Sequence, residues 1–174
     1  IAMAEAQMLK KHGFEVVTVY TGESAIEEVN SDPNISLILM DIDLGRGIDG
    51  TEAAMRILEE HEVPIAFLSS HSEQEVVEKT EGITSYGYIV KNSGETVLLA
   101  SIKMAFCLYD AHIKYKTQKE WYEQLFTNIS SGVAVYEAIN NGDDFIIIDF
   151  NKAAEKIEDI QKEEVLGKKV TDIF

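Results

Sequence analysis

The chain has 174 residues, 45% hydrophobic and 26% charged, which excludes disordered and fibrous classes and suits one medium domain, or one domain and part of another. Lys and Arg number 15 against 31 Asp and Glu, and the net charge of -16 excludes a counterion-release grip on nucleic acid. The single cysteine, Cys107, rules out an internal disulfide or thiolate metal cage and suits a reducing cytoplasm, and the longest apolar stretch, Val97 to Tyr109, is shorter than the roughly 20 residues of a membrane span.

From the start, Ile1, Ala4 and Met8 fall on one helical face, so no leader is expected, and Gly13 stops the helix. Val16 to Tyr20 has the β-branched character of a strand. Ser24 to Val29 predicts a short helix, broken by Asp32-Pro33-Asn34. Ile35 to Met40 is nearly all apolar, as a strand buried on both faces of a parallel sheet must be. Ala54, Ile57 and Leu58 mark the next helix, Pro64 to Leu68 the next strand, Glu73 to Thr80 a weaker helix, and Tyr88 to Val90 a last short strand. This alternation predicts an α/β class with a parallel sheet and right-handed crossovers.

Ligands of open α/β sheets bind outside the carboxyl ends of the strands. Asp41, Ser69 and Lys91 each directly follow a predicted strand, so a carboxylate, a hydroxyl and an ammonium converge on one rim. Any one alone is an ordinary polar residue at a strand end. Together they are a nucleophile, a hydrogen-bond donor and a positive charge, the parts needed to take up and hold a phosphoryl group.

The blocks LILMDIDLGRGIDG, PIAFLSS and GYIVK, in this order and spacing, resemble the receiver domain of response regulators, a flavodoxin-like doubly wound parallel sheet, over residues 1–108. That resemblance implies that Asp41 is the phosphoacceptor and that Ser69 and Lys91 bind the phosphoryl group. It further implies that Tyr88 is an aromatic switch, and that Mg2+ is held by Asp41 and the Asp43 carbonyl. The donor would be a histidine kinase or a histidine phosphotransfer protein, and the setting cytoplasmic. Three departures stand out. The strand and acidic pair that precede the first helix in the family are absent, so the magnesium site is expected to be incomplete, phosphorylation of Asp41 poor or absent, and apolar edges exposed. The loop GRGID before Gly50 is one residue longer than the common form, and Asn92 stands where many receivers have proline, so no cis peptide is expected there.

From Ser93 to about Lys116 one long helix is expected, with Leu99, Ile102, Phe106, Tyr109 and Ile113 in alternating steps of three and four. Two readings stay open: a last receiver helix packed on its own sheet, or a signalling helix that pairs with a second protomer. Residues 109–125 are taken as a helical linker or coiled coil and 126–174 as a third region. There, Gly132 to Ile139 and Phe145 to Phe150 flank an Asn140-Asn141-Gly142 turn, followed by helices at Ala153 to Ile157 and Lys162 to Leu166. LFTNISSGVAVYE, FIIIDFNKAAEKI and VLGKKVTDIF resemble the first half of a PAS sensory domain, an α+β fold, and the order of parts resembles the front of a hybrid sensor kinase.

His61-Glu62 superficially resembles a phosphoacceptor histidine box, but its place at a helix end suits a dipole-complementing role. His12, His71 and His112 lack zinc-ligand spacing, and no glycine-rich nucleotide loop occurs. Two functions are carried forward: a phosphoacceptor receiver whose only chemistry is magnesium-dependent self-phosphorylation, or a degenerate receiver acting as a non-catalytic dimerisation module. A phosphatase or dehalogenase with Asp43 as general acid is a distant third. No nucleic acid or membrane partner is expected, and homodimerisation would run through the linker helix.

Overall fold

The computed structural model describes residues 2–45, 47–70 and 83–173. The helix expected at Glu73 to Thr80, with His71, lies outside the described residues. The chain divides into two compact units, Ile1–His112 and Ile113–Phe174.

In the first unit three parallel strands lie side by side in the order β1 (Ile38–Asp41), β2 (Ile65–Ser69), β3 (Gly87–Val90). Every residue of β2 is buried, and its side chains alternate between two cores. Ile65 and Phe67 join Met40, Ala53, Ala54 and Ile57 beneath α2 (Gly22–Ser31) and α3 (Gly50–Glu60). Ala66 and Leu68 join Leu9, Ile89, Leu98 and Ile102 beneath α1 (Ala2–Lys11) and the start of α4 (Glu95–Asn128). Helices on both faces make the sheet doubly wound, as the near-continuous apolar strands required. The helix ends follow local chemistry. Thr21 Oγ1 accepts from Ser24 N at 3.1 Å to cap α2, and Gly13 takes a left-handed φ of 83° after α1.

Two strand expectations are corrected. Val16 to Tyr20 forms no strand: the segment lends Val16 and Val19 to the cores without entering a ladder. β propensity is not enough without a neighbour to bond, and β1 pairs only with β2 among the described residues. Ile35 to Met40 packs on both cores as expected, with Ile38 and Met40 on one and Leu37 and Leu39 on the other, but only its end is a strand. The ladder starts at Ile38, and Ile38 and Leu39 are half-buried beside the open edge.

The seam Leu99, Ile102, Phe106, Tyr109 is also reassigned: Ile102 is buried and the other three pack on the second core of their own sheet. Tyr109 Oη donates to the Glu62 carbonyl at 2.7 Å, and the Tyr109 ring meets Tyr86 edge-on at 5.3 Å. The helix runs beyond Lys116 and continues to Asn128. His61 caps the end of α3, and its Nε2 meets Asn30 Oδ1 at 2.6 Å, which ties α3 to α2.

The second unit is an antiparallel hairpin, β4 (Ala134–Ile139) with β5 (Asp144–Phe150), turned at Asn140–Gly142 where Asn141 has φ 59°. Short helices α5 (Lys152–Glu158), α6 (Lys162–Val165) and α7 (Val170–Ile173) follow. Ile147, Phe150, Ala154 and Val165 form its small core. The outer edge of β5 receives the chain again, with Ile147 N donating to the Lys168 carbonyl at 3.0 Å and Gly167 N to the Ile147 carbonyl at 2.9 Å.

Candidate functional site

The three polar residues read from the sequence stand at the carboxyl ends of neighbouring strands. Asp41 ends β1, Ser69 ends β2 and Lys91 follows β3. In-register pairing of Asp41 with Leu68 and of Ser69 with Val90 keeps the ends level, and Lys91 N donates to the Ser69 carbonyl at 2.8 Å. The Lys91 ammonium, its side chain 9% exposed, reaches across the end of β2 to Asp41 Oδ1 at 2.7 Å. Asp43 N donates to the same oxygen at 3.0 Å. Ser69 is buried and Asp43 exposed. Asp41 is a third exposed, so solvent screens its pair with Lys91 in part.

Tyr88 lies further from the rim. Its ring stacks on Phe67 with centroids 5.9 Å apart, and its hydroxyl accepts from Ser85 Oγ at 2.9 Å, on an exposed part of β3.

Sequence reasoning missed three contributors. Gly50 donates its N–H to the Ile42 carbonyl at 3.0 Å, and a Cβ there would overlap the carbonyl oxygen of Asp41. Only glycine lets α3 begin this close to Asp41. The Asp49-Gly50 dipeptide before an apolar helical run was the available signal: Asp49 Oδ1 accepts from Thr51 N and Glu52 N, both at 2.9 Å, as a cap. Glu23 is the second. Its carboxylate accepts from Ile48 N at 3.1 Å and so pins the loop beside Asp41 to the start of α2. A bond from its own backbone N–H, together with that from Ile48, holds the Glu23 carboxyl below the usual carboxylate range. Nothing local in the sequence announces a contact spanning 25 residues. The third is Glu5 of α1. It lines a cleft of about 250 Å³ with Met8, Ile89, Asn92 and Ser93, beside the backbone that carries Lys91. Burial pushes the Glu5 carboxyl up, with the charge on Lys91 opposing and that on Asp41 reinforcing the shift.

The donor set does not by itself suit magnesium. Among the described residues no group of three or more His, Cys, Asp or Glu could hold a metal, and the Asp41 carboxylate is already neutralised by Lys91.

Residues 1–103 match the response regulator receiver domain family. The chain belongs to that family. Receiver domains act in two-component signalling and interact with histidine kinases or phosphotransfer proteins. The chain is 30% identical over 106 residues to the transcriptional regulatory protein PdtaR of Mycobacterium tuberculosis, covering 60% of this chain and 51% of the relative. It thus spans about half the length of the curated relatives it matches. Among solved structures, the receiver is 43% identical, with a TM-score of 0.60, to the N-terminal domain of a response regulator/sensory box/GGDEF three-domain protein from Carboxydothermus hydrogenoformans. That match covers 64% of this chain and 90% of the other. A fusion protein carrying a yeast Spc42 trimeric coiled coil is 40% identical with a TM-score of 0.61, covering 71% of this chain and 85% of the fusion.

Proposed function

We propose that this receiver is a phosphoacceptor in a phosphorelay, with Asp41 taking the phosphoryl group and α4 passing the signal to a PAS-like second unit. The observation that carries the reading is the 2.7 Å contact of Lys91 Nζ with Asp41 Oδ1 across the strand that ends in Ser69.

Among the described residues the contacts of the Asp41 carboxylate fall on Oδ1, and Oδ2 is the oxygen that attacks. Oδ2 bonds to the phosphorus of a phosphohistidine or acyl phosphate, the bond from phosphorus to the donor nitrogen or oxygen breaks, and its electron pair leaves with the donor. Lys91 balances charge developing on the transferred oxygens and the Ser69 hydroxyl donates to one of them. Tyr88 then turns inward as the switch, trading its stack on Phe67 for a place near Ser69. The hairpin followed by short helices in the second unit supports the PAS reading. The same reading places the chain in the cytoplasm, within a sensor kinase, and pairs it with a second copy through α4.

Incubation with acetyl phosphate and Mg2+ tests it. Because the magnesium site is incomplete, a weak and slowly formed hydroxylamine-labile label is expected on Asp41, absent from Asp41→Asn and formed about a hundredfold more slowly still in Lys91→Ala. A chain left unlabelled at saturating donor would favour the second reading, a receiver that works by association alone. The sparse carboxylates around Asp41 are what favour that alternative.

A further inference from the structure

The loop that joins β1 to α3 carries two glycines in the left-handed region, Gly45 at φ 82° and Gly47 at φ 81°. Glycine gives a segment more backbone freedom than any other residue, so this loop needs fastening. Its ends are fastened close by. Asp43 N donates to Asp41 Oδ1 at 3.0 Å, and Gly50 N to the Ile42 carbonyl at 3.0 Å. The bond from Ile48 N to Glu23 Oε1, at 3.1 Å, reaches a different element, the first turn of α2.

Two glycines shape that contact. A Cβ on Gly47 would lie 2.5 Å from Glu23 Oε1 and 2.6 Å from Oε2, so the carboxylate fills the space a side chain would need. A Cβ on Gly22 would lie 2.5 Å from Ile48 Cγ1 and 3.0 Å from the Ile48 carbonyl oxygen, so the loop rests directly on the start of α2. The ordinary role of an acid in a first helical turn is to complement the dipole. Here Thr21 already caps α2 by accepting from Ser24 N, and Glu23 Oε1 accepts from the loop. Leu44 and Ile48 pack on the first core, so apolar anchors flank the polar clamp.

We propose that Glu23 is a positioning residue for Asp41, acting through Ile48 and Asp43 of the loop after β1. This deepens the phosphoacceptor reading and rests on it.

The line of contacts is short. Glu23 holds Ile48, Ile48 limits the turns open to Gly45 and Gly47, and the base of the loop supplies Asp43 N to Asp41 Oδ1. Lys91 binds that same oxygen at 2.7 Å. A carboxylate held at one oxygen by two donors keeps its plane, and with it the direction of Oδ2. With the backbone donor loosened, the grip falls to the ammonium, a point charge on a flexible stem that tolerates many carboxylate orientations. Reacting atoms misplaced by about 1 Å can lose about a hundredfold in rate, so a loosened loop should show in the chemical step and not in capture of the donor.

Amide hydrogen exchange and labelling by acetyl phosphate with Mg2+, both on the full chain, test the proposal. Glu23→Ala should speed exchange at Ile48 and at Asp43 by about tenfold while the amides of β2 keep their protection. It should lower the maximal labelling rate by about tenfold and leave the donor concentration at half-maximal rate unchanged. Glu23→Gln keeps an oxygen for Ile48 N and should restore both readouts to within about threefold of the native chain. Gly47→Ala sets a methyl group where the carboxylate lies and should reproduce Glu23→Ala with Glu23 still present. Glu27→Ala, exposed on the same helix, should change neither readout. Asp43 exchange unaltered by Glu23→Ala, or loosened with no change in the maximal labelling rate, overturns the proposal. So does a Glu23→Gln chain as impaired as Glu23→Ala, since charge at the helix start and not the bond would then be at work. A native chain that takes no label overturns the phosphoacceptor reading, and Asp43 exchange then still decides whether Glu23 orders the Asp41 carboxylate.

Discussion

Lys91 lies 2.7 Å from Asp41 in the first unit, and Lys162 lies 2.6 Å from Asp149 in the second. The chemistry of the two pairs is the same, and their surroundings separate them. Asp41 and Lys91 sit where parallel strands end, beside a third polar strand end, so a ligand that approaches the rim meets both. Asp149 lies within the hairpin, where it also accepts from Tyr122 Oη at 3.1 Å and so ties the end of α4 to β5 and α6. A carboxylate with an ammonium thus marks a proposed site in one place and a brace in the other. Position in the topology decides between them.

If the second unit is held by polar braces, the largest effect should come from the most completely bonded one. Asn151 is 2% exposed and uses its whole side-chain amide. Its Oδ1 accepts from Val133 N at 2.8 Å and Ala154 N at 2.9 Å, while its Nδ2 donates to the carbonyls of Phe126 at 3.1 Å and Ser131 at 3.0 Å. One residue therefore caps α5 and fastens the end of α4 to the start of the hairpin. Asn151→Ala strands these backbone groups and should cost about 3–4 kcal/mol. Hydrogen exchange should show protection lost across β4 and β5 and kept in β1 to β3. Asn151→Asp retains the accepted bonds but sets a buried carboxylate oxygen against the Phe126 and Ser131 carbonyls, and should cost at least as much. Equal loss of protection in both units would break the comparison, since the brace would then not be local.

The matching perturbation in the first unit is smaller in stability and larger in function. Gly50→Ala sets a methyl group against the Asp41 carbonyl, an overlap expected to cost about 2–3 kcal/mol. Because the displaced backbone belongs to the proposed acceptor residue, labelling of Asp41 should fall more than the melting temperature alone explains. Unchanged labelling in a destabilised Gly50→Ala chain would show that the close approach serves packing only.

Much of this division is legible in the residues themselves. Pro64 to Leu68 announces a doubly buried strand because every residue is apolar or small, and Asp41, Ser69 and Lys91 stand out as the first polar residues at the ends of three apolar runs. Val16 to Tyr20 misleads because a strand is a property of a pair, and composition describes only one member. The α4 seam is misplaced by periodicity because the helix contains two seven-residue repeats offset around its axis, and period alone does not say which one the sheet covers. Glu23 at Ile48 and Glu5 near Lys91 depend on long-range placement with no local signal. Asn151 did carry a local signal: an Asn directly before a helical run is a cap by its position, although its bonds to Phe126 and Ser131 emerge only from the fold.

The smallest expected effect sharpens the comparison of the two ion pairs through pH. Burial pushes the Asp149 carboxyl up, but bonds from Lys162, Phe150 N and Tyr122 outweigh it and hold the group below the usual carboxylate range. The bond to Asp149 raises Lys162 above the usual lysine range, against burial. A depressed acid stabilises the fold above its unfolded value, near about 4, and that contribution is lost as pH falls through the lower folded value. A raised base stabilises below its unfolded value, near about 10.4, and that contribution is lost as pH climbs through the higher folded one. The brace is thus complete between these limits and fails at both ends. Since both groups are partly solvated, it should contribute under about 1 kcal/mol. Urea unfolding of the second unit, followed at Trp121 across pH, should show a plateau with an acid and an alkaline shoulder. Lys162→Met should lower the plateau and shrink both shoulders. Tyr122→Phe should trim only the remainder carried by its hydroxyl, whose proton is held more tightly by burial and by Asp149. Shoulders of full size in Lys162→Met would mean that this pair, for all its short distance, braces nothing.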